Sequence, residues 1–140
     1  MPSVQAPLQH GAVIGCAGKG RFSSATRADY AAAAVVLTMD GHAGLVYELA
    51  GDESYDLADL ANTIASAAGR PVTYQDLPKA EFKQALIGMG LPDVVAELIA
   101  ESDIGASRDE LEDKGRQLSA LIGRPTTPYR QIVETAVAAG

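Results

Sequence analysis

"AVIGCAGKGRFSSATRADYAAAAVVLT", residues 12–38, decides the fold. A short apolar stretch runs into glycines at 15, 18 and 20, and an alanine-rich segment follows. Glycines between a strand and a helix cradle a phosphate when their amides sit at the helix N-terminus. The dinucleotide fingerprint places G-x-G-x-x-G directly before that helix. Here the order is G-x-x-G-x-G, and a further extended stretch, "RFSSA", separates Gly20 from the helix. A P-loop fits no better, because "GKGR" has no Ser or Thr after Lys19 and lacks the four-residue spacer. The glycines read as a tight turn joining two strands, 12–15 and 21–25, in a hairpin.

Outward from this stretch the chain alternates. Thr26 and Asp29 form an S/T-x-x-D start signal for a helix over 27–39, with Gly41 beyond its end. "LVYEL" (45–49) has the pattern of a strand. Asp56 caps a helix in which Leu57, Leu60, Ala61 and Ile64 share one face; Gly69 stops it, and "PVTYQ" (71–75) is again extended. Strand, helix and strand over 45–75 predict a parallel unit with a right-handed crossover, and the hairpin joins the same small sheet. The rest is helical: 78–87 after Pro78, 92–104, 116–123, and a last helix to about Val137 capped by Thr126 or Thr127. Residues 106–115 are polar and read as a loop. Upstream, "VQAPLQHG" is a short helical turn stopped by Gly11 and kept short by Pro2 and Pro7.

Composition sets the class. The 140 residues, 47% of them hydrophobic, suit a single α/β domain over 1–140. No apolar run approaches the roughly 18 residues of a membrane span, and the N-terminus carries no secretory signal. One cysteine, Cys16, excludes an internal disulfide and fits a cytoplasmic protein. A net charge of −7 without a Lys/Arg cluster argues against nucleic acid and anionic membranes as partners.

Chemical signals are sparse. No tyrosine has a lysine four residues on, no His/Cys/Asp/Glu set has metal-ligand spacing, and no catalytic residue is assigned. His10 and His42 adjoin glycines at element ends, which are surface positions. Glu97 and Glu101 lie one helical turn apart, as cation ligands or as a solvated face, and "DELED" (109–113) is a solvated charge run. Cys16 lies in an apolar strand as a small hydrophobe. "TRADY" (26–30) is the most loaded segment. Arg27 offers planar donors to phosphate or carboxylate, and Asp29 and Tyr30 offer hydrogen bonds to a polar ligand. The alternative is that Arg27 pairs with an acid and Tyr30 packs in the core.

Several segments together carry a family resemblance: "HGAVIGCAGKGRFSSATRADYAAAAVVLT", "GHAGLVYELAGDESYDLADLA", "GRPVTYQDLPKAEFKQAL", "ESDIGAS" and "QLSALIGRPTTP". Over nearly its whole length the chain resembles the C-terminal, substrate-side half of the NmrA-like atypical short-chain dehydrogenases/reductases, within them the bacterial NAD(P)H:quinone oxidoreductases. The resemblance implies an α/β fold with a small mixed sheet, a parallel βαβ unit and a helical C-terminal part. It implies NAD(P)H as the cofactor of the whole protein, seated on an N-terminal Rossmann half that these 140 residues do not contain, and a quinone-like substrate. It places Thr26 and Arg27 towards the cofactor and Tyr30 towards the substrate. Where the family tends to have Asp-Ser before its "xxLSxLIG" motif, this chain has Asp113-Lys114-Gly115. Two functional classes follow: the substrate-binding half of such a reductase, inactive without a Rossmann half, or a standalone binding module. Either way the chain alone is expected not to bind NAD(P)H tightly. It is expected to pair with a Rossmann half or with itself, through segment 1–11 and helix 27–39.

Overall fold

A computed structural model describes residues 4–140; Pro2 and the rest of residues 1–3 lie outside the described part. In chain order the elements are α1 (Gln5–His10), β1 (Ala12–Gly15), α2 (Arg27–Leu37), α3 (Leu57–Ala68), β2 (Thr73–Asp76), α4 (Lys79–Gly88), α5 (Asp93–Ser107), α6 (Gln117–Ile122) and α7 (Tyr129–Ala139). The two strands pair in parallel, Ala12 opposite Thr73 through Gly15 opposite Asp76. A parallel pair needs a long crossover, and α3 serves here, packed on both strands and on α7. The architecture is the small α/β fold with a parallel unit and helical C-terminal part that the sequence implies.

Local chemistry explains most boundaries. Asp56 and Asp59 form a reciprocal capping box at the start of α3, and Gly69 ends it in the left-handed conformation at φ +66°. Thr26 caps α2 by accepting the Asp29 amide. Gly11 and Gly123 close α1 and α6 in the same left-handed way as Gly69.

Three apolar clusters hold the elements. Leu60, Ile64 and Tyr55 meet Val13 and Val133 between α3, the sheet and α7. Phe82, Leu86, Ala96 and Ala100 join α4 to α5 beside Cys16. Ala25, Ala33 and Leu118 join α2 to α6.

Three expectations are corrected. Residues 21–25 do not pair with 12–15: Phe22 bridges Tyr55 in antiparallel fashion, Ser23 donates to the Leu111 carbonyl and accepts from Gly51. Gly20 causes this. A Cβ there would lie 2.1 Å from the Ala106 carbonyl oxygen, so the chain passes tightly by the end of α5 and leaves β1 behind. Residues 45–49 form no strand, and the partner of β2 is β1. Neither Thr126 nor Thr127 caps α7, whose N-cap is Pro128 without a side-chain bond. Thr126 exchanges hydrogen bonds with Asp52, and Thr127 donates to Asp29.

Candidate functional site

The main cleft opens between the sheet and the α4–α5 pair, with a volume of about 670 Å³. Helix α1 contributes Pro7 and His10, and β1 contributes Val13 and Ile14. Phe22, Tyr55 and Leu57 come from the segments before α2 and around the start of α3. Phe82, Leu86, Met89, Leu91 and Ile99 come from α4, α5 and the turn between them. The surface is mostly apolar and aromatic, with polar atoms from His10, Ser24, Tyr55, Gln75 and Asp103, and this size suits an organic molecule of a few rings.

Two of these polar groups are locked by neighbours. The Tyr55 ring is buried between Phe22 and Tyr129, at centroid distances of 6.0 and 4.5 Å. Its hydroxyl shares a hydrogen bond with Ser24 Oγ, and burial raises its pKa. Asp103 accepts the Cys16 amide at 3.0 Å. Gly15 permits that approach, since a Cβ there would lie 2.8 Å from Asp103 Oδ2 and 2.6 Å from Leu57 Cδ1. Burial raises the Asp103 pKa and nearby Asp76 adds to the rise, while the Cys16 amide partly offsets it. Asp103 is thus an ionisable acid on an apolar cleft whose pKa is held above the ordinary carboxylate value. Cys16 is buried, with its thiol on the Ala100 carbonyl. Desolvation, then the Asp103 charge, push its pKa up to about 11, so it packs as a small hydrophobe.

The "TRADY" residues separate. Thr26 Oγ1 accepts the Asp29 amide in its capping bond, and its hydroxyl is also turned to the Asp29 carboxylate. Arg27 is exposed at the first position of α2 and joins none of the ion pairs among the described residues. Tyr30, 37% exposed, is neither in the core nor in the main cleft. It lines a smaller recess of about 380 Å³ with Glu48, Leu49 and residues 110–113, and its hydroxyl donates to the Leu49 carbonyl. Phe22 and Ser24 line both cavities. Asp29, read from sequence as a ligand contact, is fully buried instead. It accepts the Thr127 amide at 2.8 Å and the Arg124 guanidinium at 2.7 Å. Burial raises its pKa, and the donors from Thr127, Arg124 and Thr26 outweigh that and hold the pKa below the ordinary value.

Sequence reasoning missed the cleft itself, because its walls come from six separated segments. The charged runs stay in contact with solvent, as read, but several of their carboxylates are paired. Glu97 and Glu101 together hold the Lys79 ammonium, with Glu97 2.7 Å from it. Glu112 is tucked against Ser54 and Arg21.

A dinucleotide does not fit the glycine turn. Gly20 is filled by Ala106, Gly15 by Leu57 and Asp103, and Gly18 turns at φ +56° with the Asp76 carboxylate on its amide. The turn also does not lead directly into a helix N-terminus, as a pyrophosphate site requires, since α2 begins only at Arg27. Among the described residues no group of three or more His, Cys, Asp or Glu could hold a metal ion, and no helix is long and apolar enough to cross a membrane.

No family model matches the sequence. Quinone oxidoreductase 2 of Escherichia coli (strain K12) is 50% identical over 134 residues, covering 95% of this chain and 47% of that protein. The crystal structure of an E. coli NADPH-dependent quinone oxidoreductase complexed with NADPH superposes with a TM-score of 0.89 at 48% identity, covering 97% of this chain and 47% of that one. Citrobacter sp. triphenylmethane reductase complexed with NADP(H) superposes at 0.88 with 30% identity, covering 95% and 47%. The chain spans about half the length of these proteins. In sequence and fold it belongs with the C-terminal halves of the NmrA-like quinone reductases.

Proposed function

We propose that this chain is the acceptor-binding half of an NAD(P)H-dependent reductase of quinone-like compounds, and that its main cleft takes the flat, largely apolar acceptor. The observation that carries this is the cleft itself: about 670 Å³, mostly apolar, and built from this chain's own residues. The named activity of a relative that is half identical over the shared region supports the choice of acceptor. In this reading the chain binds the acceptor and keeps water from it, while His10, Gln75 and Asp103 offer polar contacts to carbonyl oxygens. A cofactor-binding half supplies the dinucleotide site, because the glycine turn here is filled. Thr26 and Arg27 are the residues that would face cofactor phosphate. A cation at the first position of a helix opposes the helix dipole, and no carboxylate neutralises Arg27, so an anion there would be stabilised. Tyr30, beside them, would border the acceptor through the walls shared by the two cavities.

The chain has no tryptophan, so an introduced one reports locally. Met89→Trp places an indole on the cleft and Val94→Trp places one on the exposed side of α5. Titration with a soluble naphthoquinone is expected to quench Met89→Trp saturably and Val94→Trp only by collision. Equal, unsaturable quenching of both refutes the reading. The alternative, a standalone binding module, shares the cleft and differs in needing no second half.

A further inference from the structure

Among the described residues that line the main cleft, Asp103 is the only acid, and none is Lys or Arg. Asp103 stands on α5 one turn after Ile99, which lines the cleft on the same helix face. It joins none of the ion pairs among the described residues. Its Oδ2 accepts the Cys16 amide, and no hydrogen bond from the described residues falls on Oδ1. The nearest basic element, the start of α4, gives it nothing, because the Lys79 ammonium is held by Glu97 and Glu101.

Holding Cys16 does not require this charge. One acceptor oxygen satisfies the amide, and a side-chain amide would supply it without the cost of desolvating a carboxylate. That cost is present here: burial raises the Asp103 pKa, and the Asp76 carboxylate adds to the rise. A carboxylate so placed is stabilised by a counter-charge, and the cleft wall offers no permanent one.

The rest of the wall decides what kind of cation fits. A compact, strongly hydrated ion needs several oxygens in place of its water, and no group of three or more His, Cys, Asp or Glu among the described residues could hold a metal ion. Phe22, Tyr55 and Phe82 line the cleft with aliphatic side chains around them. A cation whose charge is spread over fused rings gives up less hydration on entering such a wall and is attracted to aromatic faces. The net charge of −7 attracts the same ligand from a distance. Resting on the reading of this cleft as the acceptor site, we infer that among flat apolar acceptors it prefers those carrying a delocalised positive charge, with Asp103 as the residue that reads the charge.

The test uses two probes of nearly the same shape, N-methylacridinium, a permanent cation, and acridine, neutral at about pH 8, where carboxylates of ordinary pKa are ionised. In calorimetric titrations of the 140-residue chain, N-methylacridinium is expected to bind about tenfold tighter than acridine, or more. Asp103→Asn, which still accepts the Cys16 amide, is expected to bring the two affinities together by weakening the cation alone. Asp40→Asn removes an equal charge from an exposed position outside the cleft and is expected to keep the preference. Equal affinities in the unsubstituted chain overturn the inference. So does a preference that survives Asp103→Asn, or one that Asp40→Asn lowers as much, which would assign it to the charge of the whole chain. Loss of acridine binding in Asp103→Asn also overturns it, since Asp103 would then shape the cleft and not read charge. The naphthoquinone titration decides separately whether the cleft takes an acceptor at all, so quenching there with equal acridine affinities sinks this inference and leaves that reading standing.

Discussion

At the scale of single residues, two aspartates carry opposite pH signatures. Asp29 is fully buried and hydrogen-bonded by Thr127 and Arg124, which ties α2 to the turn before α7. Truncation leaves the Thr127 amide unpaired and a cavity at the helix start. Asp29→Ala is expected to cost about 3 kcal/mol, read by urea denaturation at pH 7. Its pKa is lowered from 3.8 in the folded chain, so its contribution is present above that value and is lost as pH falls through the folded pKa. Asp29→Ala should remove this acid sensitivity; an unchanged acid limb would show that the carboxylate contributes nothing. Asp103 behaves inversely. Its folded pKa is raised from 3.8 by burial, so the unfolded chain gives up this proton first. Stability therefore falls as pH rises from 3.8 through the folded pKa, and is constant above it. An amide oxygen still accepts the Cys16 amide, so Asp103→Asn is expected to stabilise the chain at pH 7 and to lose that advantage below about pH 3.8. Denaturation at the two pH values checks the sign, and equal effects at both would remove desolvation as the cause.

At the scale of elements, the α4–α5 pair shows which forces position the cleft. Its ion network, Lys79 and Lys83 with Asp93, Glu97 and Glu101, is exposed, so screening limits it. Burial of Phe82 and Leu86 against Ala96 and Ala100 dominates. Phe82→Ala is expected to cost about 4 kcal/mol in urea denaturation, with little change on adding 0.5 M salt (a concentration well above that needed for screening at about 10 Å). A small loss that grows with salt would assign the pair to its charges instead. The elements most legible in the sequence were those with local determinants: the Asp56–Asp59 box and Gly69 bound α3, Thr26 starts α2, and Pro78 and Pro92 open α4 and α5. The errors came where long-range contacts decide. "RFSSA" pairs with Tyr55 and Leu111 because Gly20 lets the chain pass Ala106, and nothing within 12–25 encodes that neighbour. Residues 45–49 have strand character without a strand beside them. Thr126 and Thr127 have capping chemistry, and two aspartates, Asp52 and Asp29, take it. The cleft was hidden for the same reason, whereas Thr26, Arg27 and Tyr30 stood out by residue type alone.

At the scale of the whole molecule, the distribution of glycines separates what this chain holds from what it would need a partner to hold. The three apolar clusters close around α3, α4–α5 and α2–α6 without help, so the cleft has its own support. A dinucleotide requires more: a glycine row whose amides open onto space at a helix N-terminus, with room for backbone to approach pyrophosphate. Each glycine of the 15–20 turn serves an internal purpose. Gly15 admits Leu57 and Asp103, Gly20 admits the Ala106 carbonyl, and the Gly18 amide is taken by Asp76. A phosphate placed there would face the Asp76 and Asp103 carboxylates in a chain of net charge −7. Arg27 and Thr26 lie beyond this turn and offer contacts to one phosphate at most. Isothermal titration of the isolated chain with NADPH is therefore expected to give no binding at about 1 µM or tighter, a threshold near 8 kcal/mol. A fusion to a cofactor-binding half is expected to bind, and Arg27→Ala in it to weaken NADPH about tenfold, the loss of one charge-assisted contact. Micromolar binding by the isolated chain would show that its own residues suffice, and an unaffected Arg27→Ala fusion would remove Arg27 from the cofactor's surroundings.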